Sequence, residues 1–581
     1  MTPSSALLPL LFFALGGSTV WAQEDGDSNQ VTSTSSKVWA AIAFVQHGET
    51  TPFLLSQNPV LTPAGAQQLY RQGQAFRGRY LAPSTTTTKN ASSFDAAVVQ
   101  GLSQNAIDNA QLRILAQTDA WVVGGAAAFM QALYPPNNKA FNAAAGGETL
   151  AENHTGANAT SYPLDGYQYA QIETLPSTDV NSVGIQGHVG CPTWQNATTT
   201  NLTTNPTLKD AAQKNADFYT KLFSSGPLQG TLAADDANFF NAYDIYNLVN
   251  YEYTHNETVF TNLADANATL ARLAADAFTM ERAKSDPGSS TANDTASVAL
   301  TIAGRTLAKL VADQMSLNAN QTTGRARPMT LMFGSFQPMM ALFSLAGLLS
   351  RDYLLGTAMG NVTAPGAAVV FELVGEDPKD AAAFPKPEDL NVRFVYRASA
   401  DVNDTFLVYS LFGSGNGGRT IPYLAFLDKM RSIGKDATDW CKICKPGSAN
   451  LWCQNVASSG SGSSSSGHSR MNPAVAGVIG AVIMGALIAL AVLALCGFGG
   501  YRVHRRNRNG AGGRGAEKRD GDQDVQYGGE GDAQERIGSW EMRGQPKGQS
   551  QQSHVQHTGN PFDDDAGSDL GGAAVKTREG F

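Results

Sequence analysis

The chain of 581 residues exceeds one ordinary domain, so at least two cores, or one core with tails, are expected. Charged residues make up only 16% of it, and the formal net charge is −9. That mildly acidic balance argues against nucleic acid as the main partner.

Residues 7–21 form an apolar core of signal-peptide length, and Val20-Trp21-Ala22 places a small residue before a cleavage point after Ala22. Residues 1–22 are therefore read as a signal peptide, with an uncleaved anchor or a buried helix as the alternative. Residues 23–36 are polar and rich in Ser and Thr, a flexible lead-in. The globular region is placed at 37–455. A Ser/Gly-rich stalk follows at 456–472, too poor in apolar groups to fold.

The segment 473–498 carries no charged residue and is long enough to cross a hydrocarbon core of about 30 Å. Arg502, Arg505, Arg506 and Arg508 follow it at once, which puts the C-terminal side in the cytosol. Eleven Asn-x-Ser/Thr sites stand at Asn90, Asn153, Asn158, Asn196, Asn201, Asn256, Asn267, Asn293, Asn320, Asn361 and Asn403, all on the N-terminal side of this segment. Their one-sided placement predicts a glycosylated, extracellular or lumenal ectodomain of a type I membrane protein, at the plasma membrane or a secretory or vacuolar membrane. Cysteine usage agrees. Cys191, Cys441, Cys444 and Cys453 precede the span, an even number that predicts two disulfides with three possible pairings. Cys441-Lys442-Ile443-Cys444 can also be read as a redox or zinc motif.

Within the globular region, the apolar run 38–45 reads as a buried strand. Thr62-Pro63 begins a helix by the N-cap and first-position preferences, with Leu69, Tyr70, Phe76 and Tyr80 on helical spacing. The region 208–321 is largely helical, with amphipathic runs at 211–223, 237–251 and 263–280. Apolar runs at 330–333, 367–373, 392–396 and 406–411 read as strands. Strands at both ends of a helical block predict an α/β core carrying an inserted α-helical subdomain. The tail, 499–581, is polar and Gly-rich and is expected to be disordered.

The first strand runs into Phe44-Val45-Gln46-His47-Gly48-Glu49-Thr50-Thr51-Pro52. A histidine and glycine at a strand end, closed by a proline, resemble the Arg-His-Gly-x-Arg-x-Pro signature of the histidine acid phosphatase family, branch two of the histidine phosphatases. The stretch Leu61-Thr62-Pro63-Ala64-Gly65 is similar to the start of the helix after that loop. Phe129-Met130-Gln131-Ala132-Leu133-Tyr134-Pro135-Pro136 resembles a run in fungal members, and Ile421-Pro422-Tyr423 a segment after the last core strand. The resemblance implies a phosphoglycerate mutase-like α/β sheet flanked by helices, with no cofactor.

It also implies a set of site residues. The histidine that takes the phosphoryl group falls on His47. Two phosphate-holding arginines fall on Gln46 and Thr50, a third on Val122, and a late His-Asp pair on Ser335 and Phe336. No histidine lies between His255 and His468, so the late core lacks the second catalytic histidine under any alignment. Charge-assisted hydrogen bonds contribute roughly 1.5–3 kcal/mol each, so losing three arginines forfeits on the order of 5–9 kcal/mol of phosphate stabilisation. A lost general acid removes roughly a further 10²–10⁴-fold. The expectation is a degenerate fungal member that binds or senses at the cell surface without turnover. The alternatives are an acid phosphatase or phytase-type hydrolase acting through His47, and a receptor-like cargo-binding protein. His154, His188 and His255 show no metal-ligand spacing and are read as surface residues. In the tail, Asn560-Pro561-Phe562-Asp563-Asp564 resembles the NPFxD endocytic signal of fungal membrane proteins, which implies an endocytic adaptor as partner.

Overall fold

The computed structural model describes residues 36–458 except 56–57, 83–96, 157–159, 287–294, 321–326, 350–353, 355–356, 377–383, 414–418 and 448–449. The expected signal peptide, most of the lead-in, the span 473–498, the tail 499–581 and Asn560, Pro561, Phe562 and Asp564 lie outside the described residues. So do Asn90, Asn158 and Asn293; the other eight sequon asparagines are exposed. No helix among the described residues is long and apolar enough to cross a membrane.

One mixed sheet organises the chain. Strand β1 (Lys37–Gln46) lies at its centre, beside parallel β4 (Met329–Gly334) and antiparallel β5 (Ala368–Gly375). Beyond β4 come parallel β2 (Leu112–Gln117) and β3 (Ile172–Leu175). Beyond β5 come antiparallel β6 (Asn391–Arg397) and β7 (Leu407–Tyr409), with β8 (Ile421–Pro422) also on β6. The predicted strands at 38–45, 330–333, 367–373 and 392–396 are all present. The central ones read as continuous apolar runs because both their faces are covered.

The two faces of β1 show this directly. Ile42 and Phe44 join one buried cluster, Ala43 and Val45 the other. Alternation slips once, where the register against β5 shifts between Val38 and Ala40, so that Val38 and Ala41 share a face. One cluster is closed by α1 (Pro63–Phe76) and α2 (Ala120–Leu133), packed on each other. The other is closed by α6 (Ile302–Ala319), α7 (Gln337–Leu345) and α8 (Tyr423–Ile433). Between β3 and α6 lies a helical subdomain with its own core, built on α3 (Pro206–Ser224), α4 (Ala242–His255) and α5 (Ala266–Lys284).

Two expected boundaries move. The insertion does not extend to residue 321, because α6 contributes Leu307, Val311 and Met315 to the sheet core and belongs to its layer. Helix α10 (Leu451–Ser458), which follows α9 (Ala437–Cys444), carries structure to the last described residue, past the expected stalk start at 456. The cysteines choose one of the three pairings, Cys191–Cys444 and Cys441–Cys453. Cys441 and Cys444 therefore hold different partners, which removes the redox and zinc readings of that motif. The first bridge closes 253 residues and the second only 12. Chain entropy assigns them on the order of 5 and 3 kcal/mol of stability respectively.

Candidate functional site

Parallel strands β1, β2 and β4 end on the same side of the sheet, at the place where β1 turns from a parallel to an antiparallel neighbour. Loops leaving such strand ends diverge and leave a crevice. Here the loops after β1, β2 and β4 and the inner face of α4 enclose a cavity of about 200 Å³.

The loop after β1 is held rigidly. His47 N donates to Gly334 O on β4 at 2.9 Å, and Gly366 N donates to His47 O at 3.1 Å. Gly48 and Gly65 let this loop and α1 touch. A Cβ on Gly48 would lie 2.2 Å from Gly65 O, and one on Gly65 would lie 2.1 Å from Glu49 O. Thr62 caps α1 by accepting from Gly65 N at 2.9 Å, while its hydroxyl donates to Glu49 Oε1 at 2.7 Å. Gln68 Oε1 accepts from Glu49 N at 2.8 Å. The paired Gly48 and Gly65 thus have a physical reason: only hydrogen fits at that crossing.

His47 lines the cavity, with Nδ1 at 2.8 Å from Gly48 O. A carbonyl can only accept, so Nδ1 carries the proton and Nε2 keeps its lone pair. Burial pushes the ring's pKa down and favours this neutral form. At the position where the resemblance places a nucleophile, the chain thus carries a neutral imidazole. The neighbouring residues differ from those the resemblance implies. Gln46 lies under the loop and its side-chain amide is committed to the neighbouring segment, 2.6 Å from Thr363 Oγ1. Thr50 lines the cavity without charge. Ser335 and Phe336, where a His-Asp pair is expected, also line it; Phe336 packs on Tyr243 of α4 with ring centroids 4.5 Å apart.

Val122 is a correction. It is buried in the core between the sheet and α1–α2 and is absent from the cavity wall, whereas its neighbour Trp121 lines it. A one-residue step on a helix rotates a side chain by about 100°, which separates a core position from a cavity position. Asp119 and Gln117, at the end of β2, also face this space. Burial raises the Asp119 carboxyl pKa.

One histidine is a correction as well, and His255, although exposed as expected, has a contact of its own. His188 is not a surface residue: it is 3% exposed, lines the cavity, and packs against Trp194 at 5.2 Å. Burial drives its pKa down to about 3. His255, at the end of α4, places Nε2 2.9 Å from Glu49 Oε1 and ties the helical subdomain to the loop after β1. His154 is exposed, as expected. The sign that could have pointed to Gln117, Asp119 and Trp121 is their place directly after a parallel strand. His188 carries no such sign.

Taken together, the lining includes Glu49, Asp119 and Asp244, several amides and five aromatic rings, and among the described residues it has no Lys or Arg. No cluster of His, Cys, Asp and Glu that could hold a metal ion occurs among the described residues.

The architecture is thus a mixed α/β sheet with a histidine loop at its parallel strand ends and a helical insertion that contributes to the cavity wall. The match to the histidine phosphatase superfamily (branch 2) runs over residues 53–397, and the chain belongs to that family. The match begins just past the loop that carries His47. Similar solved structures include the phytase of Klebsiella sp ASR1, at 10% identity over 69% of this chain and 95% of that one, with a TM-score of 0.44. The multiple inositol polyphosphate phosphatase of Bifidobacterium longum, solved with inositol hexasulfate, is 15% identical over 69% and 93%, with a TM-score of 0.37. The phytase of D. castellii is 12% identical over 74% and 86%, also at 0.37. Among curated proteins none matches.

Proposed function

We propose that this protein is a phosphatase-fold binding protein that does not turn over phosphate esters. One observation carries the reading: among the described residues, the wall around His47 presents carboxylates and no Lys or Arg. A phosphate dianion leaving water needs charge-assisted donors that exist before it arrives. Glu49, Asp119 and Asp244 act in the opposite direction, and Phe336 stands where leaving-group protonation is expected and has no proton to give. A neutral imidazole without that frame is a competent nucleophile in type only.

The tautomer of His47 favours a second reading, a slow phosphomonoesterase of the phytase or acid phosphatase type. Phosphate release by the wild-type chain that is absent from His47→Ala would support it over the first. On sequence grounds the protein is placed as a type I glycoprotein, with 473–498 as its anchor and Asn560-Pro561-Phe562 offered to a cytosolic adaptor. In a receptor-like role the cavity would hold the cargo and the tail would direct uptake. Glycosidase treatment that shifts the mobility of the cell-expressed chain, and uptake that slows with Phe562→Ala, are the expected results.

A further inference from the structure

We infer that the cavity beside His47 is built to hold a neutral cyclic polyol, a saccharide ring or a cyclitol without phosphate groups. The inference rests on the non-hydrolytic reading above and names the ligand class for the same cavity.

Three features of the wall point the same way. The first is its supply of uncharged hydrogen-bonding groups. Gln117 Nε2, Ser335 Oγ, Gln337 Oε1 and His188 Nδ1 are buried polar atoms without a partner in the protein, and all four belong to residues that line the cavity. Together they comprise a donor, an acceptor and two groups that can do either, since burial keeps His188 neutral. A hydroxyl is itself both donor and acceptor, so a ring of hydroxyls can satisfy such a mixed set. Ionised phosphate oxygens can only accept, and a quaternary ammonium neither donates nor accepts a hydrogen bond. Leaving these atoms without partners is costly, so a ligand that engages them gains where one that misses them loses.

The second feature is two aromatic pairs in the lining. Phe53 and Trp121 meet edge to face at 6.0 Å, Tyr243 and Phe336 pack at 4.5 Å, and all four line the cavity. Flat apolar faces accept the C–H face of a saturated ring while its hydroxyls reach the amides of the lining. The third is size. A space of about 200 Å³ exceeds the ~150 Å³ cavity that accommodates a benzene ring, so a six-membered ring with substituents fits. The carboxylates accept from hydroxyls and turn phosphorylated rings away.

The test is a titration of the purified full chain in detergent micelles, by calorimetry and tryptophan fluorescence. The probes are D-glucose, D-mannose, myo-inositol, inorganic phosphate and tetramethylammonium. A saturable response to at least one of the three polyols and none to phosphate or tetramethylammonium is expected, the hexoses and myo-inositol separating saccharide from cyclitol. Gln337→Leu and Gln117→Ala should each weaken that affinity about 5–10-fold, the loss of one neutral hydrogen bond. Trp121→Phe should retain binding but lose most of the fluorescence change, with unaltered thermal unfolding as the check on folding. Saturation by tetramethylammonium alone, or no response to any polyol, overturns the ligand class while leaving the non-hydrolytic reading intact. Saturation by phosphate overturns both.

Discussion

The middle of the sheet and the ends of its strands treat charge in opposite ways. In the middle, Glu372 on β5 is fully buried between two arginines: Arg79 Nη2 lies 2.9 Å from Oε1, and Arg393 Nε donates to Oε2. Tyr80 donates to the same Oε1 at 2.8 Å. At the strand ends, no Lys or Arg among the described residues lines a cavity that holds three carboxylates. The chain can bury arginines where a carboxylate and hydrogen bonds receive them. The cation-free lining among the described residues is therefore a local property of the strand-end loops and does not follow from the modest charge of the whole chain.

Breaking the buried network should have the largest effect on stability. Glu372→Ala strands Arg79 and Arg393 in the core and is expected to destabilise by roughly 3–5 kcal/mol, read from urea unfolding. The partners differ in exposure, and Arg79 is the more buried, so Arg79→Ala should cost more than Arg393→Ala.

The cavity makes its own contribution through His188. Its folded pKa, about 3, lies below the ordinary value of 6.5, so the unfolded chain takes up a proton first as pH falls. Stability is then full above pH 6.5 and declines between there and about 3. Between pH 7.5 and 5 the loss should be about 2 kcal/mol. His188→Gln should flatten that part of the unfolding profile, whereas an exposed His188 would leave it unchanged.

A smaller effect sharpens the picture of the loop after β1. Thr62→Ala removes the cap of α1 and the hydroxyl bond to Glu49, an expected cost of about 1–2 kcal/mol in thermal or urea unfolding. Thr62→Ser keeps both bonds and should cost a few tenths of that.

Much of the fold is legible in the residues. The apolar run at 38–45 must be covered on both faces, and Thr62-Pro63 opens a helix by chemistry that needs no neighbour. What residue patterns do not carry is the layer a helix joins. Helix α6 has the same amphipathic look as α3 or α5, but its apolar face meets the sheet. The site divides similarly. His47, Gln46, Thr50, Ser335 and Phe336 sit at ends of strands that the pattern identifies, and all five reach the cavity. Val122 fails by one residue because helix phase depends on where the first turn begins. His188 is brought in by packing of the segment before Cys191 against the sheet layer, and nothing in its neighbours' composition announces burial.

The central claim is that a retained His47 stands in a wall that cannot hold a phosphate. The most direct measurement is phosphate release from phytate and an aryl phosphate between pH 2.5 and 7, by the full-length chain and by His47→Ala in parallel. The account predicts that the two are indistinguishable from each other and from buffer. Turnover by the wild-type chain that disappears in His47→Ala would contradict it.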